Sequence, residues 1–124
     1  MPKPLLIIDD DPIFRLIAVR LVKKNLPQKP IFEFENGKQA CEYLRKNETA
    51  ITDAEIFLDI NMPVMNGWEF LEACMAEAER PNLYIYVVSS SVNEADREKA
   101  NSYSFVKGYI EKPLTKEFLA SLEN

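Results

Sequence analysis

Ile56-Phe57-Leu58-Asp59-Ile60-Asn61-Met62-Pro63 runs three apolar residues into an aspartate and then into a loop that carries Pro63 and Gly67. An unbroken apolar run of this length suits a strand covered on both faces, as in a parallel sheet. Asp59 would stand at the carboxyl end of that strand, where open α/β sheets place their ligand sites. Other polar residues end similar runs: Asp9 and Asp10 after Leu5–Ile8, Ser89 after Leu83–Val88, and Lys112 after Tyr109-Ile110. In a parallel sheet these ends share one edge, so the chain is organised around their convergence.

Working outward, Asp11-Pro12 is an N-cap followed by proline at the first helical position. Phe14, Ile17, Ala18 and Leu21 then recur at i, i+3, i+4 and i+7, the stripe of a helix lying on a sheet. Ile31–Glu35 alternates and predicts a half-exposed edge strand. Asn36-Gly37 opens a second helix, with Ala40, Cys41 and Leu44 facing inward. Asn66 and Glu69 are spaced as a capping box ahead of a third helix with Trp68, Leu71 and Met75 on one face. Ser91 with Glu94 is the expected cap of a fourth helix, whose main inward residues are Ala95 and Ala100. Gly108–Ile110 reads as a fifth strand, and Phe118, Leu119 and Leu122 as the face of a last helix. Trp68 and the phenylalanines read as core.

The fold class is therefore α/β: a five-stranded parallel sheet with helices on both faces, in the flavodoxin-like order 2-1-3-4-5, which fits an edge second strand beside a central first and third. At 124 residues the chain fits one domain. Only a dozen residues follow Lys112, room for one helix, so no output domain is expected within 1–124. A net charge of −5 argues against a broad basic surface for nucleic acid. The chain has no histidine, which excludes imidazole catalysis and imidazole metal ligation. Cys41 and Cys74 lie in helical segments and read as buried free thiols in a reducing compartment. The N-terminal apolar run is too short for a signal peptide or membrane span, so a cytoplasmic location is expected.

Asp9, Asp10 and Asp59 cannot crowd one edge without raising one another's pKa unless a cation intervenes. Hard carboxylate oxygens with loop carbonyls and water are what Mg²⁺ prefers. Asp11 needs no role beyond capping its helix. Asp59 has two readings, metal ligand alone or metal ligand and nucleophile toward phosphorus. Lys112 would offer a positive charge, and the Ser89 hydroxyl a hydrogen bond, to an incoming phosphoryl group.

Asp9-Asp10, Leu58-Asp59-Ile60-Asn61-Met62-Pro63 with Gly67, Val88-Ser89-Ser90, and Tyr109-Ile110-Glu111-Lys112-Pro113 together resemble the receiver domain of two-component response regulators. The resemblance covers essentially the whole chain. It implies that Asp59 is the phosphoacceptor and that Mg²⁺ is held by Asp10, Asp59 and the backbone carbonyl of Asn61, with Asp9 acting through water. It makes Ser89 and Lys112 the groups that meet the phosphoryl oxygens. Ser89 and Tyr109 become the switch pair, although Tyr109 can also be read as a plain core aromatic. Ser89 departs from the family's commoner threonine by one methyl.

Implied partners are a sensor histidine kinase or histidine phosphotransfer protein. The effector would meet the face formed by the fourth helix, fifth strand and fifth helix, with Asp96, Arg97, Lys107 and Glu111 as candidate contacts. The chain is then a signalling module rather than an enzyme, with slow self-dephosphorylation. A Mg²⁺-dependent phosphatase with Asp59 as nucleophile is disfavoured because Asn61, two residues on, cannot shuttle a proton. A flavin carrier would need a phosphate-cradling first loop, and Asp9-Asp10-Asp11 would repel one. A degenerate receiver acting as a constitutive binding module is the remaining alternative.

Overall fold

The computed structural model describes residues 3–47, 53–76, 83–90 and 93–122. In order they form β1 (Leu5–Ile8), α1 (Pro12–Asn25), β2 (Ile31–Phe34), α2 (Gly37–Lys46), β3 (Ala54–Leu58), α3 (Gly67–Ala76), β4 (Leu83–Ser89), α4 (Glu94–Asn101), β5 (Val106–Glu111) and α5 (Lys116–Ser121). All strand pairings are parallel and the sheet order is β2-β1-β3-β4-β5, the expected order with β2 at an edge.

Strand periodicity divides the core. Leu5, Ile7, Phe57 and Val88 pack with Ala18 and Val22 of α1 and Leu119 of α5 on one face. Leu6, Ile8, Ile56, Leu58 and Ile85 pack with Ala40 and Leu44 of α2 and Phe70 and Leu71 of α3 on the other. A smaller cluster of Ile60, Val87, Ala100 and Tyr109, with Trp68 against it, seats α4 on the α2–α3 side. Right-handed crossovers account for this division. The chain steps one way from β1 to β2, then reverses and crosses over β1 to β3, β4 and β5, so α1 lies opposite α2, α3 and α4. The reversal leaves a crevice between the ends of β1 and β3, the topological switch point of such sheets.

Local signals mostly hold. Asp11 caps α1 by accepting from the Ile13 N–H, with proline at the start of the helix. Asn66 and Glu69 form the reciprocal capping box, each side-chain oxygen accepting the other's N–H at 2.9 Å.

Several expectations need correction. Ile17 is 56% exposed, because α1 meets the sheet along Phe14, Ala18 and Val22, one helical position away. Ala95 is exposed, since only Ala100 of α4 is turned to the sheet. The cap of α4 is Asn93, accepting from the Ala95 N–H at 2.8 Å. Ser91, and the side chains of Cys74 and Met75, lie outside the described residues. Strand β5 is longer than expected because Val106 and Glu111 still pair with β4. Of the described phenylalanines only Phe57 and Phe70 are fully buried, and Trp68 is half-buried between two clusters.

Candidate functional site

The carboxyl ends of the strands bring the three predicted carboxylates and the predicted lysine together. Asp9 and Asp10 follow β1 and Asp59 follows β3, and carboxylate oxygens of the three lie within 4.8 Å of one another. Asp9 and Asp59 are buried and Asp10 is exposed. Backbone pairing continues beyond β1 on both sides: the Asp59 N–H donates to the Ile8 carbonyl at 2.9 Å, and the Asp9 N–H to that of Phe34 at 3.0 Å. Both acids are therefore fixed by the sheet rather than by a free loop.

The lysine arrives from the end of β5. Its Nζ donates to Asp9 Oδ2 at 2.9 Å and stands 4.3 Å from the centroid of the Phe14 ring. Its backbone N–H donates to the Ser89 carbonyl at 2.9 Å, and the Lys112–Pro113 peptide is cis. Ser89, the last residue of β4, is buried beside this junction. Tyr109 is also buried, and the Arg97 guanidinium lies 5.0 Å from its ring centroid. Asn61 stands exposed two residues beyond Asp59.

The loop between β3 and α3 is tightly held. The Met65 N–H donates to the Pro63 carbonyl at 2.7 Å across Val64, whose φ is 68°, the arrangement of a classic γ-turn. Such a backbone is strained for a β-branched residue, and Val64 is also 73% exposed. Gly67 closes the loop with its N–H on the Ile60 carbonyl at 2.8 Å. A Cβ there would lie 2.5 Å from the Asp59 carbonyl oxygen, so only glycine allows this approach.

Electrostatics follow from the crowding. The Asp59 carboxyl is raised from its ordinary value of 3.8 to about 6, first by burial, then by the negative charge of Asp9, with Asp10 adding less. Lys112 and the Ile60 N–H, which donates to Asp59 Oδ1 at 2.9 Å, pull the other way without cancelling the rise. Three hard oxygen donors whose mutual repulsion is only partly relieved fit a hard divalent cation.

Two contributors escaped the sequence. Arg15 donates from Nη1 to the Asp9 carbonyl at 2.6 Å and from Nε to Glu33 Oε1 at 3.3 Å. A basic residue one helical turn beyond the cap Asp11 was the available signal. Phe14, expected to face only the sheet, also forms a floor for the Lys112 ammonium group.

Comparison with known proteins agrees with this geometry. The profile of the family described as Response regulator receiver domain matches residues 5–122. A chemotaxis protein CheY homolog of Campylobacter jejuni is 32% identical over 116 residues, 93% of this chain and 85% of that protein. A two-component response regulator from Cytophaga hutchinsonii superposes with a TM-score of 0.90 at 28% identity, covering 99% of this chain and 95% of that one. A response regulator receiver protein from Dyadobacter fermentans gives 0.84 at 28% identity, over 97% and 94% of the two chains.

Proposed function

Since this chain belongs to the response regulator receiver domain family, we propose that it takes a phosphoryl group onto Asp59 from a histidine kinase or histidine phosphotransfer protein and signals through protein–protein contacts. The observation that carries this reading is the meeting of three carboxylates and one lysine at a single sheet edge. An Asp59 oxygen attacks phosphorus as the bond from phosphorus to the donor's imidazole nitrogen breaks, its electron pair returning to the ring. Lys112, paired with Asp9 at rest, turns its charge to the phosphoryl oxygens, and the Ser89 hydroxyl supplies a hydrogen bond. Asp10, Asp59 and the Asn61 carbonyl would hold Mg²⁺, with Asp9 acting through water. When bound, the ion supplies positive charge against the phosphoryl oxygens.

Asn61 offers no proton acceptor for hydrolysis, so self-dephosphorylation is slow and the protein works as a timed signal rather than a phosphatase. Movement of Ser89 toward the phosphoryl group frees space that Tyr109 follows. The readout face comprises α4, β5 and α5, where Arg97 touches Tyr109 and Lys107 and Glu111 are exposed. The phosphodonor approaches over the start of α1, which begins next to the acids and exposes Ile13, Leu16 and Ile17. A cytoplasmic setting accords with the buried Cys41 thiol, which donates to Met65 Sδ at 3.8 Å, and with this chemistry.

The test is intact-protein mass after incubation with Mg²⁺ and acetyl phosphate. Wild type should gain one phosphoryl group, removable by hydroxylamine, and Asp59→Asn none. An adduct on the variant would mean another acceptor. A folded wild type that stays unmodified by acetyl phosphate and by kinases would instead be a constitutive binding module.

A further inference from the structure

Resting on that reading, we propose that Arg15 is a positioning residue of the acid cluster: it sets the peptide that carries Asp10 and thereby tunes the affinity of the site for a divalent cation. Asp9 is pinned at three points, its N–H by the Phe34 carbonyl, Oδ1 by the Asp11 N–H and Oδ2 by Lys112. Asp10 is the exposed member of the three acids. Its placement depends on the backbone between Asp9 and Asp11.

That backbone is where Arg15 acts. The Asp9 carbonyl has left the sheet ladder, and Arg15 Nη1 holds it at 2.6 Å. A peptide unit is planar, so fixing the Asp9 carbonyl also fixes the direction of the Asp10 N–H and the placement of its Cα. The guanidinium is itself held. The Arg15 backbone N–H donates to the Asp11 carbonyl at 3.1 Å, Nε reaches Glu33 on β2, and the side chain is 14% exposed. A planar fork can satisfy both acceptors at once, whereas a lysine offers a compact point charge on a more flexible stem.

The proposal separates from a plain charge effect by sign. A guanidinium held on the Asp9 carbonyl repels a cation arriving at the adjoining acids, so if charge were its whole contribution, removing it would tighten cation binding. If it positions the cluster, removing it loosens binding.

The measurement is the dissociation constant for Mn²⁺, read by electron paramagnetic resonance at neutral pH, with Mg²⁺ as competitor and thermal unfolding to verify the fold. Groups that orient metal ligands typically change affinity by 10–100-fold, so Arg15→Met should weaken binding by about tenfold and Arg15→Lys by about threefold. Glu33→Gln, which leaves the bond to the Asp9 carbonyl in place, should stay within about twofold of wild type on the same scale.

Unchanged or tighter binding in Arg15→Met would overturn the proposal. So would a loss in Glu33→Gln equal to that of Arg15→Met, because Arg15 would then act only through β2. Should Arg15→Met fail to fold, Arg15→Lys decides: weaker binding supports the proposal, and unchanged or tighter binding overturns it. A folded wild type that binds no Mn²⁺ would bring down the receiver chemistry at Asp59 instead.

Discussion

Asp59 carries its charge at a cost to the fold. Its carboxyl is raised to about 6, so the folded chain holds this proton more tightly than the unfolded chain does. The sign follows: the contribution of this group is most favourable when protonated, below its ordinary value near 4, and is lost as pH rises through about 6. A rise of this size corresponds to roughly 3 kcal/mol between protonation states, reduced by water at the exposed Asp10 side. In solution without divalent ions, Asp59→Asn should therefore be more stable than wild type at pH 7 by about 1–2 kcal/mol. The gain should disappear on acidification to pH 4, as followed by urea unfolding. A gain that instead grew on acidification would contradict the assignment. Gly67 is the other residue with no latitude, since a Cβ would meet the Asp59 carbonyl oxygen at 2.5 Å. Gly67→Ala should cost about 2–3 kcal/mol through backbone displacement and should slow Asp59 phosphorylation, by thermal unfolding and mass spectrometry respectively. The placement of Asp9, Asp10, Asp59, Ser89 and Lys112 at strand ends was legible because each stands at, or one residue past, the end of an apolar run. Arg15 and Phe14 were not, because their contacts depend on how a helix is rotated against the strand before it.

That rotation is the lesson of α1. Its sequence supports two apolar stripes a position apart, and periodicity alone does not choose between them. Packing selects Phe14, Ala18 and Val22 for the core and leaves Ile13, Leu16 and Ile17 in solvent. This exposed apolar face lies beside the acid cluster, where the proposed phosphodonor would dock. Leu16→Glu should leave stability within about 0.5 kcal/mol, as exposed substitutions do. It should slow transfer from a phosphorylated protein donor at least several-fold, while acetyl phosphate, which needs no docking surface, still modifies Asp59 at the wild-type rate. Equal slowing with both donors would place the defect in the site itself. Helix α4 was legible in its weakness, since Ala100 is its one buried residue. Its start was not, because Ser91 and Asn93 are both good caps by composition, and the geometry of the chain entering Glu94 selects Asn93.

Across the whole molecule, the sheet order was readable from the β–α alternation together with the half-exposed pattern of Ile31–Glu35, which fits β2 at an edge, beside a central β1 and β3. The buried pair at the opposite end of the sheet was not readable. Lys29 and Glu55 form an ion pair whose side chains are each 5% exposed, in a region where charges are rarely hidden. Breaking one member of such a pair leaves a buried charge without its partner. Lys29→Met should therefore cost about 3–5 kcal/mol, and adding Glu55→Leu should recover much of the loss, by double-mutant urea titration. The acid edge has a further consequence, in the order of folding events. The bond from Lys112 Nζ to Asp9 Oδ2 joins residues separated by 103 positions. Closing so long a loop carries a larger entropic cost than the shorter-range pairings, so this contact is expected to form late. A nascent or partly refolded chain can hold the Asp9–Asp59 half of the site long before β5 delivers its lysine. If Asp59 accepts a phosphoryl group as proposed, competence to do so should thus rise with the last phase of refolding, which would tie the modification to a fully assembled sheet.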